Sequence, residues 1–239
     1  MAVHEPDKWQ DERLGIAASL QGYWWERVCW PTGFTRLLGL TKARPWITDG
    51  DDVDFSSGTS LPAHFTYWRY PVDPNFQVSA ADHPQSLRLN PSNLNLTALN
   101  GNYAGPTGQA FVGRRQQDTL FIYSVRLDFE PKALEEEAGV TAFLTQNHHL
   151  DLGVVMLRNT TDSTLAPHFR FRGISYVKVP DPVVTPVPRE WLGRPLRLEI
   201  RATNISHYAF SAGPADAASE MRTIITASND AVSWGFTGL

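Results

Sequence analysis

"NHHLDLGVVM", residues 147–156, joins two adjacent histidines and an aspartate to an apolar run, so it fits either a metal or catalytic cluster or a β-strand. Successive side chains of a strand point to opposite faces of the sheet. The apolar residues of one face are Leu150, Leu152, Val154 and Met156. His148 shares that face, whereas His149 and Asp151 lie on the other. The two histidines therefore diverge, which argues against a metal site built from both.

The alternation predicts a core strand in which His148 is buried and His149 points out of the core. Two interpretations of His149 and Asp151 stay open. They form either the polar entrance of a core strand, or part of an outer groove whose side chains hydrogen-bond sugar hydroxyls.

The same two-residue period recurs along the chain and is typical of half-buried strands. It places apolar side chains on one face of four further segments: Phe121, Tyr123, Val125, Leu127 and Phe129; Leu196, Leu198 and Ile200; Phe169 and Phe171; Tyr208 and Phe210. Stretches rich in Gly, Pro, Asn and Asp separate these segments. Many short strands without a long amphipathic helix predict an all-β fold, an antiparallel sandwich or barrel.

Composition narrows the function classes. The 239 residues carry a net charge of −4 without a basic block, which argues against nucleic acid as a partner. No apolar run approaches the roughly 20 residues that a membrane span needs. Aromatic residues reach 11%, which suits a carbohydrate binder as well as a core. The start "MAVHEPDKWQ" shows no signal peptide, so localisation stays open.

The first 47 residues differ from the rest, because five of the eight tryptophans fall there. Their strand alternation is poor, and residues 7–25 could hold a short helix. We therefore expect an irregular Trp-rich segment at 1–47, a linker or the remnant of a catalytic domain, followed by a β-sandwich at 48–239.

Three motifs carry a resemblance to a known family. "TGQAFVGRRQQ" at 107–117, "EEEAGVTAFLTQNHHLDLGVV" at 135–155 and "VSWGFTGL" at 232–239 resemble, in this order, the C-terminal domain of family 43 glycoside hydrolases, the β-xylosidase and α-arabinofuranosidase group. "SLRLNPSNLNLT" at 86–97 and the acidic stretch at 49–71 match its early part. The resemblance implies a concanavalin A-like β-sandwich, or jelly roll, of the xylan-binding module type.

The resemblance also implies a partner and a position in a larger enzyme. The parent enzymes carry a five-bladed propeller before this domain and are secreted or cytoplasmic, and the family continues past "GFTG" with one more strand. We therefore expect this chain to lack its last strand. An aromatic loop of the family helps to close the propeller's active site, and its matching positions here are Trp234 and Phe236. Arg114 of "GRRQ" is a further candidate for sugar or domain contact, or for a structural ion pair.

The expected function is a non-catalytic accessory module that contacts xylan or arabinoxylan, or completes a propeller active site. Alternatives are an independent hydrolase of the same fold and a truncated, non-functional fragment. Glycoside hydrolysis needs a pair of carboxyl groups, and the E-x-D-x-x-E spacing of some such sandwiches does not occur. Residues 135–137 are expected to be a solvated acidic loop. No cofactor is expected, although "DGDDVDF" at 49–55 leaves a structural calcium open.

Overall fold

The computed structural model describes residues 14–21, 52–56, 60–62, 64–72, 75–98 and 108–233. The regular structure of these residues is β-strand with short 3-10 turns, and no α-helix occurs among them. The strands are β1 (Leu14–Gln21), β2 (Phe65–Thr66), β3 (Phe76–Ala80), β4 (His83–Leu89), β5 (Phe111–Arg115), β6 (Ile122–Leu127), β7 (Glu137–Thr145), β8 (His148–Arg158), β9 (Leu165–Ile174), β10 (Val183–Pro186), β11 (Leu196–Asn204), β12 (His207–Pro214) and β13 (Arg222–Ser228). The 3-10 turns are Arg189–Trp191, Ala218–Glu220 and Asn229–Val232.

Two sheets form the body of the fold. The larger has seven strands in the order β10-β9-β8-β7-β1-β5-β2, and the smaller has four in the order β13-β12-β11-β6. A separate hairpin joins β3 and β4. Strands β7, β8, β9 and β10 pair antiparallel, as do all the strands of the smaller sheet. The predicted all-β fold with an antiparallel sandwich is confirmed.

The main core lies between the two sheets, where apolar side chains of alternate residues meet. Phe171 of β9 packs edge-to-face on Phe210 of β12, with ring centroids 5.1 Å apart. The predicted alternation is confirmed, since Phe169, Phe171, Leu198, Ile200, Tyr208 and Phe210 are all buried in this core. Phe121, Tyr123, Val125 and Phe129 pack against it. We call the side of the larger sheet that is turned toward this core its inner face and the opposite side its outer face.

Strand β8 follows the predicted parity. Leu150, Leu152 and Val154 belong to the main core, so this parity faces inward. His148 has the same parity and is 3% exposed, which confirms the prediction that it is buried. Its ring packs edge-on against Tyr176, with centroids 4.7 Å apart.

The first strand differs from what its sequence suggested. Leu14–Gln21 form a strand, where the sequence indicated an irregular or helical segment. Strand β1 lies between β5 and β7 and runs parallel to both. Backbone pairing with these two neighbours therefore accounts for its extended conformation. The remaining tryptophan-rich residues lie outside the described part of the chain, and the division at residue 47 stays a prediction.

A second, smaller core covers part of the outer face. Phe143 of β7 contacts Phe111 of β5 with ring centroids 4.7 Å apart, and Trp68 at 5.2 Å. Leu96 packs on the same cluster. It belongs to residues 92–98, which cross this face and which we call the covering segment. The outer face is therefore partly enclosed rather than open to solvent.

Two glycines face each other across strands β7 and β8, Gly139 and Gly153. A Cβ atom at Gly139 would overlap the carbonyl oxygen of Leu152 and the backbone of Gly153. At Gly153 it would come within 2.6 Å of the Glu137 carboxylate. Gly153 therefore supplies the space in which the Glu137 side chain lies, and Gly139 admits the backbone of β8.

We expect Gly139→Ala to lower the free energy of unfolding by about 3 kcal/mol, because backbone atoms of β8 must shift to admit the methyl group. Gly193→Ala is the matched control. Gly193 has a φ of 70° and no atom within 4 Å of an added Cβ, so only strain of about 1 kcal/mol applies. Urea unfolding followed by tryptophan fluorescence measures both. Equal losses would show that the close approach at Gly139 is not a constraint.

Candidate functional site

Charged side chains converge on the outer face of three neighbouring strands. Asp151 of β8 lies opposite Thr141 of β7 and Arg172 of β9. One step along the sheet, Gly153 lies between Gly139 and Arg170. Residues two apart on a strand share a face, so these side chains project on the same side.

The charges are paired in a continuous chain that we call the outer-face network. Arg170 Nη2 and Arg172 Nη2 lie 2.6 and 2.9 Å from Glu137 Oε2. Arg170 Nη1 also binds Glu135 Oε2 at 2.6 Å. Arg172 Nε lies 3.7 Å from Asp151 Oδ2, which connects the pairs to β8. Buried charges require such partners, because removing an ion from water costs several kcal/mol.

His149 completes the network and ties it to the covering segment. Its Nδ1 lies 2.9 Å from both carboxylate oxygens of Asp151, and its Nε2 lies 3.2 Å from Thr97 Oγ1. The ring stacks on Phe143 with centroids 5.8 Å apart. His149 thus points away from the main core as predicted, but it is only 2% exposed. Thr97 and Phe143 enclose the ring, and a sugar contact at His149 and Asp151 stays a prediction.

The network sets the protonation of its members. Burial by itself would raise the pKa of Asp151, but the charge and hydrogen bond of His149 and the charge of Arg172 outweigh it and hold this pKa below its usual value. Burial opposes the charge of Arg170, yet Glu137 and Glu135 raise its pKa above the usual range. Asp151 and Arg170 are therefore charged at neutral pH.

A solvent-open pocket lies beside the network, and we call it the outer-face pocket. Glu137, Asp151 and Arg172 line it on the sheet, above the backbone of Gly139 and Gly153. The covering segment and Gln109 form its other side. Gln109 Nε2 donates to the carbonyl oxygens of Asn95 and Leu96 at 2.8 and 3.0 Å, which fixes the covering segment in place.

The structure brings together two of the five predicted site residues, His149 and Asp151. Arg114 is elsewhere, because it has the opposite parity on β5 from Phe111 of the smaller core, and its Nη2 donates to Gln117 Oε1 at 3.1 Å. Trp234 and Phe236 lie outside the described residues, as does the chain end at which a further strand was expected.

Sequence reasoning missed four residues of the network, Glu135, Glu137, Arg170 and Arg172. The prediction that residues 135–137 are a solvated loop is wrong for Glu137, which opens β7 and is 5% exposed. The signal was the position of Glu137 directly before a long apolar run. "HFRFRG" likewise placed Arg170 and Arg172 on one face, but their partners depend on strand register.

The described side chains offer little for metal binding. Within the described ranges, no group of three or more His, Cys, Asp or Glu side chains could hold a metal ion. In the acidic stretch, Asp54 Oδ1 accepts hydrogen bonds from the backbone and side chain of Ser56, and Gly50 and Asp51 lie outside the described residues. Calcium binding there stays a prediction. No described helix has the length and apolar character of a membrane span.

We expect Glu137→Gln to lower the free energy of unfolding by about 3 kcal/mol or more, because it leaves two partly buried guanidiniums without their shared carboxylate. Glu199→Gln is the control. It removes a carboxylate that pairs with Arg201, whose side chain is 50% exposed, so the expected loss is under about 1 kcal/mol. Urea unfolding at neutral pH compares the two. A small effect of Glu137→Gln would contradict a structural role for the network.

The pKa of Asp151 also predicts a pH dependence. Because this pKa is lower in the folded state, the ionised group stabilises the fold above about pH 4, and the contribution is lost as the pH falls through the folded value. The stability difference between the wild type and Asp151→Asn should therefore shrink on acidification. Unfolding measured from neutral pH to about pH 3 tests this, with Asp128→Asn, at an exposed position, as control. A constant difference would contradict the prediction.

Comparisons with known proteins agree with this architecture. Residues 52–239 match the family described as beta xylosidase C-terminal concanavalin A-like domain. A non-reducing end alpha-L-arabinofuranosidase of Bacteroides ovatus, BoGH43B, is 26% identical over 148 residues, which are 59% of this chain. The match covers 26% of that protein, so the chain spans about a quarter of the length of this relative. No solved structure matches the chain.

The family match covers most of the chain and fits a two-sheet, all-β structure. It confirms both the resemblance to the C-terminal domain of family 43 glycoside hydrolases and the concanavalin A-like fold. The chain belongs to the family of beta xylosidase C-terminal concanavalin A-like domains.

Proposed function

We propose that this chain is a non-catalytic accessory module of a xylan-degrading family 43 type glycoside hydrolase. The observation that carries the proposal is the match of residues 52–239 to a domain that is C-terminal in β-xylosidases. The similarity to the arabinofuranosidase supports it, because the aligned part is only about a quarter of that enzyme. The proposed partners are a family 43 propeller domain and a xylan or arabinoxylan chain.

The outer-face network supports a non-catalytic role. Glycoside hydrolases use two carboxyl groups, one of which donates a proton while the other acts as nucleophile or base. Here Glu137 and Asp151 both pair with Arg172, and Glu137 pairs with Arg170 as well. Their oxygens are engaged with guanidiniums and with His149 rather than positioned to exchange a proton with a substrate.

Three parts of the module are proposed to make contacts outside it. Trp234 and Phe236 are the proposed aromatic contacts with a propeller active site, on the strength of the sequence motif at 232–239. His149 and Asp151 belong to the proposed sugar-contacting face. Arg114 is proposed as a contact for a neighbouring domain, because it lies away from that face, near the end of β5.

The purified chain is expected to have no β-xylosidase or α-arabinofuranosidase activity. Release of nitrophenol from the corresponding nitrophenyl glycosides should equal the buffer rate. Hydrolysis well above background that is abolished by Glu137→Gln or Asp151→Asn, in variants that remain folded by circular dichroism, would overturn the non-catalytic role. Activity that survives both substitutions but separates from the chain on further purification would trace to a contaminating enzyme and would leave the proposal in place.

A further inference from the structure

The outer-face pocket has the size to admit the edge of one sugar ring. Its cavity volume is about 40 Å³, and the empty space reaches about 450 Å³ when the part open to solvent is included. The cavity volume exceeds the 10–15 Å³ or so that a water molecule requires, but it is too small to enclose a whole ring. A ligand would therefore insert hydroxyl groups while its ring stays in the open part.

The lining matches the hydrogen bonding of a sugar hydroxyl, which both donates and accepts. Ionised Glu137 and Asp151 accept only, and Arg172 donates only. Across the pocket, Asn95 Oδ1 accepts from the backbone N–H of Ala98 at 2.9 Å, so its Nδ2 is the donor on that side. Each of two neighbouring sugar hydroxyls can thus donate to a carboxylate on the sheet, Glu137 or Asp151. Each can also accept from a donor, either Arg172 beside the carboxylates or Asn95 across the pocket.

These groups are held in position before any ligand arrives. The sheet residues are fixed by the ion pairs of the network, and the backbone at Asn95 is fixed by Gln109. A preorganised site loses little side-chain freedom on binding.

The charge of the network selects between sugars. Three carboxylates, those of Glu135, Glu137 and Asp151, face two guanidiniums, those of Arg170 and Arg172. His149 pairs with the carboxylate of Asp151, at the end of the network. The positive charge of both guanidiniums is already balanced by these carboxylates, so a sugar carboxylate would meet the carboxylates of Glu137 and Asp151 at short range.

We propose that the outer-face pocket binds the end unit of a neutral xylan-like chain and rejects acidic sugars. The inference rests on the proposed function and adds the place of contact and the charge of the ligand. The open pocket and exchange of water hydrogen bonds give a weak affinity, roughly in the high micromolar to millimolar range.

The test is a titration of the full chain with xylotriose and with the same oligosaccharide carrying a glucuronic acid on its end unit, followed by calorimetry or amide NMR. Asn95→Ala removes a pocket donor without touching the ion pairs. Asn204→Ala is its matched control, because Asn204 Oδ1 also accepts a backbone N–H, that of Ser206, at an exposed turn. Loss of one good hydrogen bond predicts about ten-fold weaker binding for Asn95→Ala and no change for Asn204→Ala.

The outcomes distinguish a failure of the pocket assignment from a failure of the proposed accessory function. If Asn95→Ala binds xylotriose as well as the wild type does, the outer-face pocket is not the binding site, although the accessory role still stands. The same conclusion follows if only Phe236→Ala loses binding. Equal affinity for the acidic oligosaccharide overturns the charge selection. No binding by the wild type at about 10 mM sugar, beyond the proposed range, overturns the pocket together with the sugar contact of the proposed function.

Discussion

The carboxylate of Glu137 is the contact on which the outer face of the larger sheet depends. It is buried at the start of β7 and accepts hydrogen bonds from Arg170 and Arg172, which lie on β9 beyond the intervening strand. A carboxylate removed from water is destabilising unless cations compensate it, so β7, β8 and β9 must keep the register that brings both guanidiniums to it. The same register requires glycine at 153, where a Cβ atom would meet the Glu137 side chain.

The covering segment completes this face and explains why polar residues there are buried. Thr97 contacts His149, and Ser92 Oγ donates to the carbonyl oxygen of Gly108 at 2.8 Å. Gln109 binds two carbonyl groups of the segment. Buried polar groups need hydrogen-bond partners, and these contacts supply them for both the segment and the sheet. The outer face is enclosed at His149 and open to solvent at the outer-face pocket. The part around His149 is therefore structural, and the pocket is the part that a ligand can reach.

Rigid, paired charges suit recognition more than proton transfer. A catalytic acid and base need environments that push their proton affinities apart. On this face, Asp151 is kept ionised by its cationic and hydrogen-bonding neighbours, and Glu137 shares the guanidinium of Arg172 with it. Membership of the β-xylosidase C-terminal domain family agrees with a module that positions or contacts a sugar chain while another domain performs hydrolysis.

Residue periodicity was enough to predict the class of fold and the inner face of its strands, because alternate apolar side chains all lie on one face of a strand and that face must be buried. It placed Leu198, Ile200, Phe169 and Phe171 in the core and separated His148 from His149 correctly. Tertiary structure alone decided the partners of the polar residues, because strand register and the path of the covering segment depend on contacts between residues far apart in the chain. Glu137 meets Arg170 across 33 residues, and Thr97 meets His149 across 52, so no local pattern could reveal that His149 is enclosed or that Glu137 is buried.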